Sequence, residues 1–312
     1  PIAMSLGVGG VAADVSALMV MSVNGTVVGV SNELAERMTG SAEPFDFSDA
    51  KAAGRALTST GKELRIGVPF PFSMHAELLY YWLTASGLRT SHNLVIRTVP
   101  PPLMADALAA GDIDAFCVGE PWGSKTVESN VAPELMLAVR TAWAEENVDL
   151  TGRLMRAVWK ASRWLDSGGA LTTAPELLSR ESYLDLAPEI IDRALTGHFV
   201  VNGRGETREC AGFIEYHRGA ATFPWRSQAA WIGVQIAGRL GIDKGHAMEA
   251  ARATFRTDLY RQHLGDAGAI LPGASEKIEG GIAEGTAVAA ENGRLILCEN
   301  RFFDGRVFDP VA

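Results

Sequence analysis

The chain has 312 residues, 47% hydrophobic and 21% charged, with a formal net charge of -9, which is the size of two lobes and the composition of a folded rather than a disordered protein. The acidic balance and the lack of a basic stripe argue against a direct nucleic-acid partner, which needs cations to neutralise phosphates. No run approaches the roughly 20 apolar residues required to span a bilayer, so no transmembrane segment is expected, and three unpaired-looking cysteines, Cys117, Cys210 and Cys298, suit a reducing compartment and give no metal signature.

Residues 2–6 are short and apolar and lead into the glycine-rich turn 7–10, which lacks the lysine and serine of a phosphate-binding loop and reads as a flexible turn. Residues 18–23 and 26–30 are apolar, β-branched runs on either side of Asn24-Gly25, a hairpin-type dipeptide, so two extended segments are expected to meet there. A capping residue and helix formers occupy 32–39, and a polar loop at 40–49 precedes another short helix.

From 64 to 122 the pattern alternates strand, helix, strand, helix, strand with short connections, as in a parallel sheet covered by helices. The first strand, 64–70, turns through Pro71-Phe72-Ser73 into a helix that His75 enters in its first turn. The second, 94–99, ends in Pro100-Pro101-Pro102, which lacks backbone donors yet is pre-set for a first helical turn. The third runs into Gly119 at its carboxyl end, where open α/β sheets place ligands. Beyond it, 149–166 reads as a long helix with Leu150, Leu154, Val158 and Trp164 on one apolar face, followed by helical patterns at 174–179, 188–195, 229–240 and 244–255 and an extended, aromatic-rich end at 294–308.

These residues resemble the nitrate- and bicarbonate-binding family of two-lobed solute-binding proteins, and within it the branch of cytoplasmic nitrate sensors. The motifs are the phenylalanine-proline turn before His75, Tyr80-Tyr81-Trp82-Leu83, the prolines from Pro100, Gly111-Asp112-Ile113-Asp114-Ala115-Phe116 and Cys117-Val118-Gly119-Glu120-Pro121-Trp122. Residues 1–7, Asn24-Gly25, Phe223-Pro224-Trp225-Arg226-Ser227 and Phe302-Phe303-Asp304-Gly305-Arg306 extend the likeness over nearly the whole chain. It implies an α/β, type II periplasmic-binding-protein-like fold, each lobe a mostly parallel sheet flanked by helices. Residues 1–61 and 140–312 would make lobe one, its amino-terminal part missing, and 62–139 lobe two.

The same resemblance implies a small oxyanion held between the lobes, nitrate or nitrite first and bicarbonate second. His75 matches the family's ligand-binding histidine, and imidazole donors suit a planar oxyanion near a helix N-terminus. A histidine at a helix start also serves as a cap or packing residue. Gly119 matches the glycine whose backbone approaches the anion, an approach that an absent side chain permits. Thr26 stands where the family has a glutamine after the asparagine-glycine pair, and Leu135 where it has a lysine after proline-glutamate. Ser73, Glu120, Trp122 and Arg226 are candidates for cleft lining, Arg226 as a replacement cation with a planar donor fork.

With the tryptophan, glutamine and lysine of the family pattern lacking, weak nitrate binding is expected of the chain as it stands. No catalytic residue, cofactor or metal is expected. Cys117 with His75 as its base is the enzyme reading, supported by a pyrimidine-synthesising family of related fold, but a cysteine inside an apolar strand is usually inert. Asp112 and Asp114 share a strand start and do not form a facing carboxylate pair. The function expected is a cytoplasmic sensor of nitrate assimilation that acts through a regulatory antiterminator protein. The alternative is the binding component of a nitrate or bicarbonate ABC transporter, with a permease as partner, and periplasmic if a leader lies upstream of Pro1.

Overall fold

The structure, a computed structural model, describes residues 1–10, 12–40, 49–61, 63–88, 94–122, 133–201 and 204–311. In chain order the elements are α1 (Ile2–Ser5), β1 (Val15–Asn24), β2 (Thr26–Val30), α2 (Asn32–Thr39), α3 (Ala50–Thr58), β3 (Leu64–Val68), α4 (Met74–Ala85), β4 (Leu94–Thr98), α5 (Met104–Ala109) and β5 (Ala115–Gly119). There follow β6 (Pro133–Arg140), α6 (Thr141–Glu146), α7 (Val148–Leu165), α8 (Ala170–Leu178), α9 (Pro188–Thr196), β7 (His198–Val200), β8 (Thr207–Glu209), β9 (Ile214–Glu215), α10 (Arg226–Leu240), α11 (Lys244–Thr254), α12 (Thr257–Leu264), β10 (Thr286–Val288) and β11 (Leu295–Leu297). Most of the expected loop at 40–49, the stretch 124–131 and Lys62 at the first expected lobe crossing lie outside the described residues.

The chain divides into two compact units: Pro1–Asn24 with Asn130–Ala170 and Glu215–Ala312, and Gly25–Ser129 with Leu171–Ile214. These are called the first and second unit. The sequence boundaries at 61/62 and 139/140 partition the chain differently. Compactness groups β2, α2 and α3 with β3 to β5, because β2 is paired antiparallel with β5 from Thr26↔Gly119 to Val30↔Ala115.

The second unit holds a four-stranded mixed sheet in the order β2-β5-β3-β4, with β3 parallel to both β4 and β5. This is the parallel unit read at 64–122, with β2 added to its edge. Val27, Met104, Ile113, Phe116, Val118, Phe199, Val201 and Phe213 form its core. The starts of β3 and β5 are clamped by a forked ion pair. Asp114 Oδ1 accepts from Arg65 Nη2 at 2.7 Å, and Oδ2 accepts from Nε at 3.0 Å and from the Arg65 backbone N–H at 2.9 Å. Sequence reasoning gave Arg65 no role.

The hydrogen bonds from Arg65 hold the Asp114 carboxyl below its ordinary value. Its contribution to stability is therefore full above the unfolded carboxylate pKa and is lost as pH falls through the depressed folded-state value. Asp114→Asn is expected to unfold at lower urea than the wild type at pH 7, and the two midpoints should converge in acid. A gap that stays constant down to pH 2 would contradict the ion pair's role.

In the first unit the sheet order is β6-β1-β9, and β1 and β6 run antiparallel from Val15↔Arg140 to Val23↔Pro133. This sheet departs from the mostly parallel expectation. The expected hairpin at Asn24-Gly25 also fails, although both residues take the positive φ of such a turn, 63° and 91°. Here β1 pairs with β6 while β2 pairs with β5, so the dipeptide separates two sheets instead of closing one.

Leu18 and Met19 of β1 pack with Met155 and Trp159 of α7 and with Phe223, Trp225, Tyr260 and Leu264. The Phe223 ring meets Trp225 and Tyr260 edge-on, with centroids 4.9 and 5.1 Å away. The buried face of α7 is Thr151, Gly152, Met155, Trp159 and Ser162. The stripe expected from sequence is met only in its middle, where Val158 packs against this core and Leu154 is partly buried, while Leu150 is 47% and Trp164 40% exposed.

Candidate functional site

The second unit brings three of the sequence-selected residues to one end of its sheet. Leaving β3, the chain passes Phe70 and Phe72, whose rings stack edge-on at 5.8 Å, and Ser73 then caps α4. Ser73 Oγ accepts the Ala76 N–H at 3.3 Å and donates to the Phe70 carbonyl at 2.6 Å. Capping leaves Met74 and His75 as the first two helical residues, at the end of α4 where backbone N–H groups have no intrahelical acceptor and the dipole is positive.

Three links place Gly119 and Thr26 beside that end. Cys117, fully buried, donates its thiol to the His75 carbonyl at 3.4 Å, so α4 lies over the face of β5 that Cys117 presents. Gly119 is two residues further along the strand and presents the same face. Thr26 is the direct antiparallel partner of Gly119, and opposed residues share a face, so its hydroxyl adjoins the bare glycine on the α4 side. Thr26 is 6% exposed, and the Glu120 N–H donates to the Gly25 carbonyl at 3.1 Å, extending the β2–β5 ladder past Gly119.

Two carboxylates also belong to this end. Glu77 is buried in the first turn of α4, where the helix dipole favours it, and Glu120 is half-buried just after β5. A bound oxyanion there would depend on imidazole, hydroxyl and amide donors. Trp122 packs against the hydrophobic core of the unit, so its main contact is structural, and its N–H reaches back to the Gly119 carbonyl at 3.4 Å. Leu135, in the place of the expected lysine, is on β6 and 56% exposed. Arg226 belongs to the first unit, where it opens α10 and lines a cavity.

Sequence reasoning paired Cys117 with His75 only as nucleophile and base, and missed the thiol-to-carbonyl bond between them and the burial of Glu77. The spacing of Cys117 and Gly119 on one strand face was the available signal for the first. An acidic residue in a first helical turn was the signal for the second. The burial of Cys117 and its bond to a carbonyl are the features of a packing thiol rather than a nucleophile.

The fold is that of the type II periplasmic binding proteins. The chain superposes over its full length on 79% of the periplasmic nitrate-binding protein NrtA from Synechocystis PCC 6803, with a TM-score of 0.81 at 19% identity. Residues 1–179 match the NMT1-like family, and the chain belongs to that family. Among curated relatives, the nitrate/nitrite binding protein NrtA of Nostoc sp. is 25% identical over 306 residues, covering 93% of this chain and 64% of that protein. The nitrate import ATP-binding protein NrtC of Synechocystis sp. is 27% identical over 284 residues, covering 85% of this chain and 41% of that protein. The chain thus spans between two fifths and two thirds of the length of these two relatives. No helix among the described residues is long and apolar enough to cross a membrane.

Proposed function

We propose that the chain is the anion-binding component of a nitrate or nitrite transport system, with bicarbonate as the second candidate ligand. The observation that carries this reading is the pairing of Thr26 with Gly119 on the sheet face covered by the amino end of α4, where His75 sits. In this reading the His75 imidazole and the Thr26 hydroxyl donate to the oxyanion. Gly119 lets the anion approach the backbone, and Ser73, Glu120 and Trp122 line the site. The helix amino end favours negative charge there.

Membership of the NMT1-like family and likeness to proteins named for nitrate binding and import support a binding role over a catalytic one. The relative named for nitrate import and ATP binding favours the transport reading, which would bring permease and ATPase partners and a periplasmic location. The cytoplasmic sensor expected from the sequence, and its antiterminator partner, gain no support from relatives named for nitrate binding and nitrate import.

Titration with nitrate, nitrite, bicarbonate and sulfate, followed by tryptophan fluorescence, tests the ligand class. A saturable change is expected with nitrate or nitrite, a weaker one with bicarbonate, and none with sulfate. Silence towards the first three, or tightest binding of sulfate, would overturn the proposal.

A further inference from the structure

A second site lies wholly within the first unit. Arg226, Arg252, Ala253, Ala274, Ser275 and Glu276 line a surface cavity of about 620 Å³ between the amino end of α10, the last turn of α11 and the segment after α12. The charges in it are not balanced. Arg252 is ion-paired, its Nε 2.8 Å from Glu276 Oε1 though without hydrogen-bond geometry, and its Nη2 donates to the Pro310 carbonyl. Arg226 has no carboxylate within ion-pair distance among the described residues, and its guanidinium makes one long bond, Nε to the Phe255 carbonyl at 3.4 Å. The rest of the local polar groups are tied up: the Ser275 carbonyl accepts the Arg226 N–H at 3.0 Å and its hydroxyl donates to Thr257 Oγ1 at 3.3 Å.

We propose that this cavity binds a small organic monocarboxylate, with Arg226 as its anchor. A half-buried guanidinium whose two Nη groups have no partner among the described residues matches a carboxylate in two parallel hydrogen bonds. The cavity falls in the size range of small-molecule sites and exceeds what a three-oxygen anion fills, which leaves room for an apolar tail beside the carboxylate. Ala253 and Ala274 offer methyl groups to such a tail. Glu276, already bound to Arg252, disfavours a multiply charged ligand such as phosphate, whose second charge would meet it unpaired.

Calorimetric titration of the 312-residue chain with butyrate, and separately with inorganic phosphate, tests the assignment. Saturable butyrate binding is expected, with phosphate at least about tenfold weaker. Arg226→Gln should weaken butyrate binding at least about tenfold. Ala253→Glu should do the same by placing a carboxylate against Arg226 at an exposed helix position where the fold tolerates it. Nitrate titration of Ala253→Glu should match the wild type, and His75→Ala should bind butyrate normally. No saturable butyrate binding, wild-type binding by both variants, or loss of butyrate binding in His75→Ala would overturn the site. Absent nitrate binding with butyrate binding intact would instead sink the transport reading alone.

Discussion

Glu279→Ala is expected to lower the unfolding free energy of the first unit by about 3–5 kcal/mol, the cost of breaking a buried ion pair by removing one partner. Glu279 is 1% exposed and joins three segments. Its Oε1 accepts from Ser227 Oγ at 2.6 Å in the first turn of α10, and its Oε2 accepts from Asn300 Nδ2 at 2.7 Å and from Lys277 Nζ. The partners are themselves committed. Ser227 Oγ accepts the Lys277 N–H at 3.1 Å, and Asn300 Oδ1 accepts the Gly280 N–H at 2.7 Å. The backbone of Glu279 exchanges two hydrogen bonds with Phe308, at 2.9 and 2.8 Å.

Alanine would leave the Lys277 ammonium, which lies over the Trp225 ring at 5.5 Å, without its counter-charge in a mostly buried place. Glu279→Gln keeps the shape and one acceptor, so a smaller loss, about 1–3 kcal/mol, is expected. Urea unfolding followed by near-ultraviolet circular dichroism reads both. A change under about 0.5 kcal/mol for alanine would show that the network does not hold the carboxyl-terminal segment to α10.

The fold was legible where local chemistry and long-range pairing agree. The strand-helix alternation at 64–122 became β3, α4, β4, α5 and β5, because proline punctuation and short connections leave little choice. The Asn24-Gly25 dipeptide shows the limit. It adopts the dihedrals its residues favour, but a dipeptide cannot select which strand its neighbour pairs with, and β6 and β5 are far away in sequence. The phase of α7 was only partly readable for another reason. Its buried face includes Gly152, where an added Cβ would come 2.6 Å from His263 Nδ1, along with Thr151 and Ser162. A helix that packs this closely uses small residues, which an apolar count passes over, and its partner α12 was not recognised from the sequence at all.

The candidate site was legible residue by residue and illegible as an arrangement. His75 and Gly119 followed from their motifs, and Thr26 from its place after Asn24-Gly25. That Thr26 opposes Gly119, and that Cys117 ties β5 to the His75 carbonyl, are facts of register that no local pattern carries. Arg226 was read as a candidate cleft cation, and the structure gives it a cavity in the first unit.

His75→Ala should weaken nitrate binding by at least about 1.5 kcal/mol, the lower end for a hydrogen bond to a charged group and more than tenfold in affinity. The argument is one of donors. The anion must exchange water for protein hydrogen bonds, and an incompletely paired buried charge is costly. Glu77 and Glu120 are the neighbouring polar side chains at this end of the sheet and, as carboxyls, cannot take the place of an imidazole donor when ionised. His75→Asn, which keeps a donor, should recover part of the loss. The decisive measurement is calorimetric titration of wild type and His75→Ala with nitrate under identical salt. The site described here requires measurable binding by the wild type and a loss of at least about tenfold in the variant, while equal affinity in the two would contradict it.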